Sequence, residues 1–207
     1  MKRILSIAAV LTVLIMAFPA RMSGQFRYGP AVGVAFDRPS FKQDLFTIDT
    51  QLGYEGGIMS ELMFPGIGIG IDLGLLYEMR NAKLHLGERL MWESQGYGVE
   101  TLRIHYIDIP LHIKLKWHKL NGLEDKIMPI VYGGPRFGIQ VAHSKLDAFD
   151  FSGGDVGIDV GGGVELFRRF QITAGYTFGA TYSYKAKVLT NFSARTPATH
   201  INFIYYF

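Results

Sequence analysis

Large apolar residues recur at every second position along most of this chain. In the cleanest run, 67–80, Ile67, Ile69, Ile71, Leu73, Leu75 and Tyr77 alternate with Gly68, Gly70, Asp72, Gly74, Leu76 and Glu78. A repeat of two places these sets on opposite faces of a β-strand. Eight such segments stand out, at 28–36, 51–64, 67–80, 99–118, 128–141, 155–167, 170–184 and 199–207. In each, Ile, Val, Leu, Phe and Tyr dominate one face, while Gly, Thr and charged residues dominate the other. The pattern predicts an all-β fold.

The connections alternate in length. Pro65-Gly66 and Arg168-Arg169 make tight turns and 119–127, with Asn121-Gly122, a moderate one; 37–50, 81–98, 142–154 and 185–198 are long and polar. One tight rim and one elaborated rim describe an up-and-down antiparallel barrel. Both termini then fall on the tight rim, which in outer-membrane barrels is periplasmic, and the long loops are extracellular.

The apolar face decides between a soluble and a membrane barrel. Eight strands enclose only enough room for side chains to fill. Gly and Thr with charged pairs fit that space, whereas rows of Ile, Leu and Phe would overfill it. The sequence therefore predicts an eight-stranded antiparallel up-and-down transmembrane β-barrel, a monomer with its apolar band against lipid, rather than a lipocalin-like barrel. Tyr54, Tyr77, Trp117, Tyr176, Tyr182, Phe203 and Tyr205, near strand ends, suit interfacial aromatic girdles.

The inward face carries the candidate chemistry. Alternation turns Glu55, Glu61, Asp72, Glu78, Asp108, Asp159 and Glu165 inward, together with His112, Lys114, Lys116 and Arg136. Unpaired charge in a narrow interior is costly. Opposite signs in one lumen therefore predict a plug of salt bridges and waters; a narrow polar pore, or a proton or metal site, is the functional alternative. Within 105–118, HYIDIPLHIKLKWH, Pro110 sits on this inward face. Proline cannot donate to a ladder, so a bulge or bend with a local break is expected there.

Composition and the chain ends narrow the picture. The chain holds 25 Gly, 15 Phe, 11 Tyr and no Cys, with a net charge of +3. Without cysteine, an exported chain relies on its core, closure or lipid instead of disulfides. So small a charge, without a basic run, gives no sign of a nucleic-acid partner. Lys2 and Arg3 precede an apolar run, 4–18, then Pro19, Ala20 and Ser23-Gly24. This is the layout of a secretory signal peptide, 1–24, cleaved near 20–24; the run is short for a membrane-spanning helix, and an uncleaved anchor is the alternative. Residues 25–207 form the barrel domain. At the other end Phe203, Tyr205 and Phe207 follow Ile201 at strict spacing and resemble the signal read by the outer-membrane assembly machinery.

Three segments resemble a known family. Tyr106-Ile107-Asp108-Ile109-Pro110-Leu111 with Lys114 and Lys116, Pro129-Ile130-Val131-Tyr132-Gly133-Gly134-Pro135-Arg136, and Gly161-Gly162-Gly163-Val164-Glu165 are similar to the small outer-membrane β-barrels of the PorT type, a porin family of Bacteroidetes-like bacteria. The likeness spans nearly all of the mature chain, with Asp108 where the family usually has Glu. It implies an outer-membrane barrel without established enzymatic activity. The founding member's link to secretion is not carried over.

Other chemistry is weakly signalled. The glycine-rich stretches lie inside alternating strands, whereas a phosphate loop needs a following helix. His85, His105, His112, His118, His143 and His200 lack metal-motif spacing and, His112 apart, read as solvated; no metal or cofactor is expected. The expected role is structural or interactional, at the cell envelope, through the extracellular loops. Its partners would be outer-membrane lipid and lipopolysaccharide, the assembly machinery during biogenesis, and an envelope or secretion protein. The alternatives are a narrow porin-like channel for small solutes or ions, and a lipid A-modifying enzyme using Arg103 and His105 with Ser94 and Glu100, which form no compact nucleophile–base motif. The loop 81–98, with Lys83, Arg89, Met91 and Trp92, offers charge and aromatics to lipopolysaccharide phosphates or a partner, or is simply solvated.

Overall fold

A computed structural model describes residues 25–41, 47–88, 96, 98–117, 126–144, 149–186 and 193–207. The signal-peptide segment 1–24 lies outside the described residues, as do Arg89, Met91, Trp92, Ser94 and His118. Among the described residues, eight strands close a barrel: β1 (Gln25–Asp37), β3 (Ile48–Met63), β4 (Ile69–His85), β5 (Val99–Lys116), β6 (Ile127–His143), β8 (Gly154–Leu166), β9 (Phe170–Gly179) and β12 (Ala198–Tyr205). Neighbours are antiparallel throughout, and β1 completes the closure against β12. Closure pairs every strand on both sides, which a hydrocarbon environment demands of a sheet.

The faces follow the period-2 pattern. On β4, Gly70, Asp72, Gly74, Leu76, Glu78 and Arg80 are buried, while Leu73, Leu75 and Tyr77 are exposed. On β5 the outward row from Ile107 to Trp117 is wholly apolar over eleven positions, close to the 9–11 residues a tilted strand needs to cross a bilayer. Phe26, Tyr28, Trp117, Phe167 and Phe207 are exposed around the tight-turn end, and Tyr54, Tyr77, Tyr176 and Tyr182 nearer the opposite end.

Two expectations need correction. The ladder does lapse around Pro110: no pairs form for Ile109 and Pro110 with β4, or for Leu111 and His112 with β6. The register on both sides is nevertheless the same, so the imino acid costs hydrogen bonds without inserting a residue. The bulges are elsewhere, at His105/Tyr106 and between Thr50 and Tyr54. Second, the segment 170–184 is not one strand. The Thr181 hydroxyl accepts from the Val156 N–H at 2.8 Å, and the chain leaves the barrel there.

The long connections are not merely polar. They contain β2 (Ser40–Phe41), β7 (Phe149–Phe151), β10 (Tyr184–Ala186) and β11 (Ser193–Arg195), which pair in the order β2-β11-β10-β7 as a separate four-stranded sheet. A 3-10 turn, Leu86–Glu88, follows β4. Phe149, Tyr184 and Ala194 of this sheet pack on Leu84, Leu86, Leu102, Ile104 and Tyr106, making an apolar lid over one end of the barrel. Each connection alone contributes too few apolar residues to show this in the sequence.

The β1–β12 closure leaves no room for a side chain at Gly29, where a Cβ would stand 1.7 Å from the Tyr205 carbonyl oxygen. Gly29→Val is expected to lower barrel stability by about 3 kcal/mol, read as loss of the compact gel mobility of the unheated barrel and an earlier urea midpoint. Gly56→Ala, whose Cβ would find its nearest neighbour at 3.6 Å, should leave both unchanged.

Candidate functional site

The inward charges gather into two tiers. Toward the tight turns, Glu61 lies 3.0 Å from Lys114, 2.7 Å from Lys116 and 2.5 Å from Arg27. Glu165 accepts from Lys116 at 2.5 Å, Arg27 at 2.7 Å and Gln171 at 2.6 Å. Lys114 also reaches Asp72 at 2.5 Å. Three cations thus face three carboxylates, and Tyr206 lies beneath both Arg27 and Lys114, 5.0 and 5.7 Å from ring centroid to charge. Arg27 further donates to the Arg168 carbonyl in the β8–β9 turn, tying this tier to the tight rim.

The upper tier is built on two guanidiniums. Arg136 stands 2.9 Å from Asp159, 3.2 Å from Glu55 and from Glu78, and 3.6 Å from Asp108. Arg80 reaches Asp155 at 2.7 Å, Glu78 at 3.0 Å, Asp108 at 3.4 Å and Asp37 at 3.9 Å, and lies 4.2 Å over the Tyr106 ring. His112 contacts Asp159 at 3.0 Å and His200 contacts Glu55 at 3.2 Å. The Thr177 hydroxyl donates to Asp159 at 2.6 Å and lies 2.9 Å from His200 Nε2. Ser183 donates to Asp155 at 2.9 Å, joining the tier to the lid. Within the lid, burial pushes the Tyr184 phenol above its ordinary pKa, with Tyr106 and Asp37 adding to it.

All ten residues singled out from the sequence, Glu55, Glu61, Asp72, Glu78, Asp108, His112, Lys114, Arg136, Asp159 and Glu165, are buried inside the barrel, as is Lys116. The sequence reading missed Arg27, Asp37, Arg80, Asp155, Gln171 and His200. Arg27 and Asp37 lie just beyond the limits 28–36, and Arg80 at the limit of 67–80, all in phase with the inward face; extending the alternation outward would have found them. His200, read as solvated, is buried because β12 turns it toward Glu55 and Thr177. Phe203, Tyr205 and Phe207 face outward, with the Tyr205 and Phe207 rings 5.2 Å apart and Phe207 against Tyr28 at 5.9 Å.

Balance between the tiers differs. Six upper carboxylates (Asp37, Glu55, Glu78, Asp108, Asp155, Asp159) face two guanidiniums and two imidazoles. Both Asp37 oxygens, Glu55 Oε1, Glu78 Oε1 and Asp108 Oδ1 accept no hydrogen bond among the described residues. Candidate ligand atoms of Glu55, Glu78 and His200 lie within 4.8 Å of one another. Arg136 already supplies positive charge to both carboxylates at 3.2 Å, which disfavours a metal ion beside it. A cavity of about 30 Å³, lined in part by Asp72, His112, Lys114, Tyr132 and Arg136, separates the tiers; it has room for roughly two waters. Of the proposed enzymatic set, Arg103 and His105 face outward and His105 Nδ1 is bonded to the Tyr77 hydroxyl at 2.6 Å.

A family described as "Outer membrane protein beta-barrel domain" matches residues 18–195. Among solved structures, the outer membrane protein OprG from Pseudomonas aeruginosa superposes with a TM-score of 0.56 at 10% identity, covering 89% of this chain and 95% of that one. Neisserial surface protein A gives 0.43 at 13% identity over 86% and 95%, and outer membrane protein W of E. coli 0.39 at 15% over 89% and 100%. No curated protein matches the chain.

Arg136→Met removes the one cation shared by four buried carboxylates and is expected to cost about 3–5 kcal/mol, measured as a fall in the urea midpoint of the barrel in detergent micelles. Asp37→Asn removes a carboxylate whose oxygens accept no hydrogen bond among the described residues and whose one ion pair there, with Arg80, is long at 3.9 Å; it should be neutral or stabilising in the same assay.

Proposed function

We propose a function from one premise: the chain belongs to the outer membrane protein beta-barrel domain family and is a small eight-stranded barrel of the bacterial outer membrane. It acts as a closed barrel with a structural and interaction role at the cell envelope, offering its surface and long connections to other molecules rather than passing solutes. The observation that carries this reading is the cross-lumen network, in which Arg136 alone contacts carboxylates from four strands. An ion passing through would have to displace charge-assisted bonds on every side, in a medium where each is strong. The apolar lid supports the same reading from the other end.

The PorT-type resemblance of the β5, β6 and β8 segments agrees with a barrel that performs no reaction, as does an outward His105 bonded to Tyr77. A narrow channel is the second reading, favoured only by the polar cavity between the tiers. On the outward face of β12 and just past its end, Phe203, Tyr205 and Phe207 form the strip by which the assembly machinery would take up the barrel.

In planar lipid bilayers the purified barrel should show no steady openings. Steady conductance that scales with salt concentration would sink the closed reading in favour of the channel. In cells, Phe207→Ala should lower the amount of folded barrel in the outer membrane, measured by the mobility of unheated samples, while the same variant refolded from urea into micelles should remain compact.

A further inference from the structure

Beyond its apolar band, the outer wall of the barrel turns polar. On β5 the outward row passes from Ile107 to His105, Arg103 and Thr101; on β6 the bulge at His105/Tyr106 shifts the outward row from Ile139 to Ala142, opposite His105, and then to Ser144, which bonds Arg103. These ends are neighbours, with Ile104 opposite His143 and His105 opposite Ala142. Between them lies an outward cleft of about 430 Å³ lined by Thr101, Arg103, His105, Ala142, His143 and Ser144.

The cleft is well braced. The Arg103 N–H donates to Ser144 Oγ at 3.1 Å, and the Ser144 N–H to the Arg103 carbonyl at 2.8 Å. His105 stacks on Tyr77 at 5.8 Å, with its Nδ1 in a 2.6 Å hydrogen bond with the Tyr77 hydroxyl. His143 stacks on Phe151 at 4.0 Å and donates to the Ser144 carbonyl at 2.9 Å. The exposed Arg103 guanidinium, by contrast, makes no hydrogen bond or ion pair with any described residue. Lys83 continues the basic edge on β4, but stands opposite Asp49, which is itself paired with His85 at 2.9 Å.

We propose that this cleft binds a phosphate of lipid A in the outer leaflet. A lipid-facing cation just past the hydrocarbon band lies at headgroup depth. The planar guanidinium matches two phosphate oxygens at once, and the Thr101 and Ser144 hydroxyls that line the cleft beside it can donate to the same anion. The inference rests on the orientation in the reading above, with the long connections outside the cell.

The test uses the purified full barrel in detergent micelles and native mass spectrometry, with bisphosphorylated lipid A, dephosphorylated lipid A, phosphatidylglycerol and inorganic phosphate as probes. Bisphosphorylated lipid A should be retained over the other three. The double variant Arg103→Gln, His143→Gln should weaken its binding about tenfold or more while keeping the compact gel mobility; if the pair fails to fold, Arg103→Gln alone should show the loss. Equal retention of dephosphorylated lipid A or of phosphatidylglycerol, phosphate binding without preference for the lipid, or unchanged binding by the variants would each overturn the proposal. An open conductance with lipid A selectivity intact would overturn the closed-barrel reading alone.

Discussion

An eight-stranded barrel is too narrow to hydrate the charges it encloses, so each inward charge must be met by a partner from across the lumen. Arg136 on β6 answers this constraint most fully. Its guanidinium reaches Asp108 and Asp159 on the adjacent strands β5 and β8, and Glu55 and Glu78 on the non-adjacent β3 and β4. Lys114 on β5 does the same toward Glu61 on β3 and Gln171 on β9. Backbone ladders hold each strand to its two neighbours, whereas these side chains tie strands that never pair. The barrel wall and its contents therefore stabilise one another, and a substitution that breaks one charge partner acts on several strands together.

The two tiers meet this constraint unequally. Near the tight turns, three cations answer three carboxylates. Beneath the lid, six carboxylates share two guanidiniums and two imidazoles, and several oxygens accept no hydrogen bond among the described residues. Low local dielectric strengthens the bonds that are made and raises the cost of those that are not. The lid matters here because Phe149, Tyr184 and Ala194 pack an apolar cluster beside the acid-rich end, while Ser183 links it to Asp155 and so to Arg80. On the outer wall the logic reverses. Apolar side chains need no partner in lipid, and the first cation beyond them on β5, Arg103, has a guanidinium unused by described residues.

Much of this was legible in the chain because a strand has a side-chain period of two. A residue's parity within a strand states which face it occupies, and the composition of the two faces states which one is lipid. Hence Asp72, Glu78 and Asp159 could be turned inward without coordinates. Legibility failed where parity or strand limits were uncertain. Arg27, Asp37 and Arg80 lie at or just beyond the strand limits drawn. The bulge between Thr50 and Tyr54 resets parity along β3, and Pro110 disturbs the ladder without shifting register, which no local rule distinguishes from a bulge.

By itself, then, the sequence determined the all-β class, the antiparallel order, the lipid face and the membership of most of the inward charge set, since each follows from local alternation and from turn lengths. Only the tertiary structure decided which charges meet, that Arg136 would serve four carboxylates, that the long connections would join into a lid, and that Arg103 and His143 would share one cleft. Those outcomes depend on barrel closure and strand register, which bring together residues far apart in sequence and leave no trace in the pattern of any single segment.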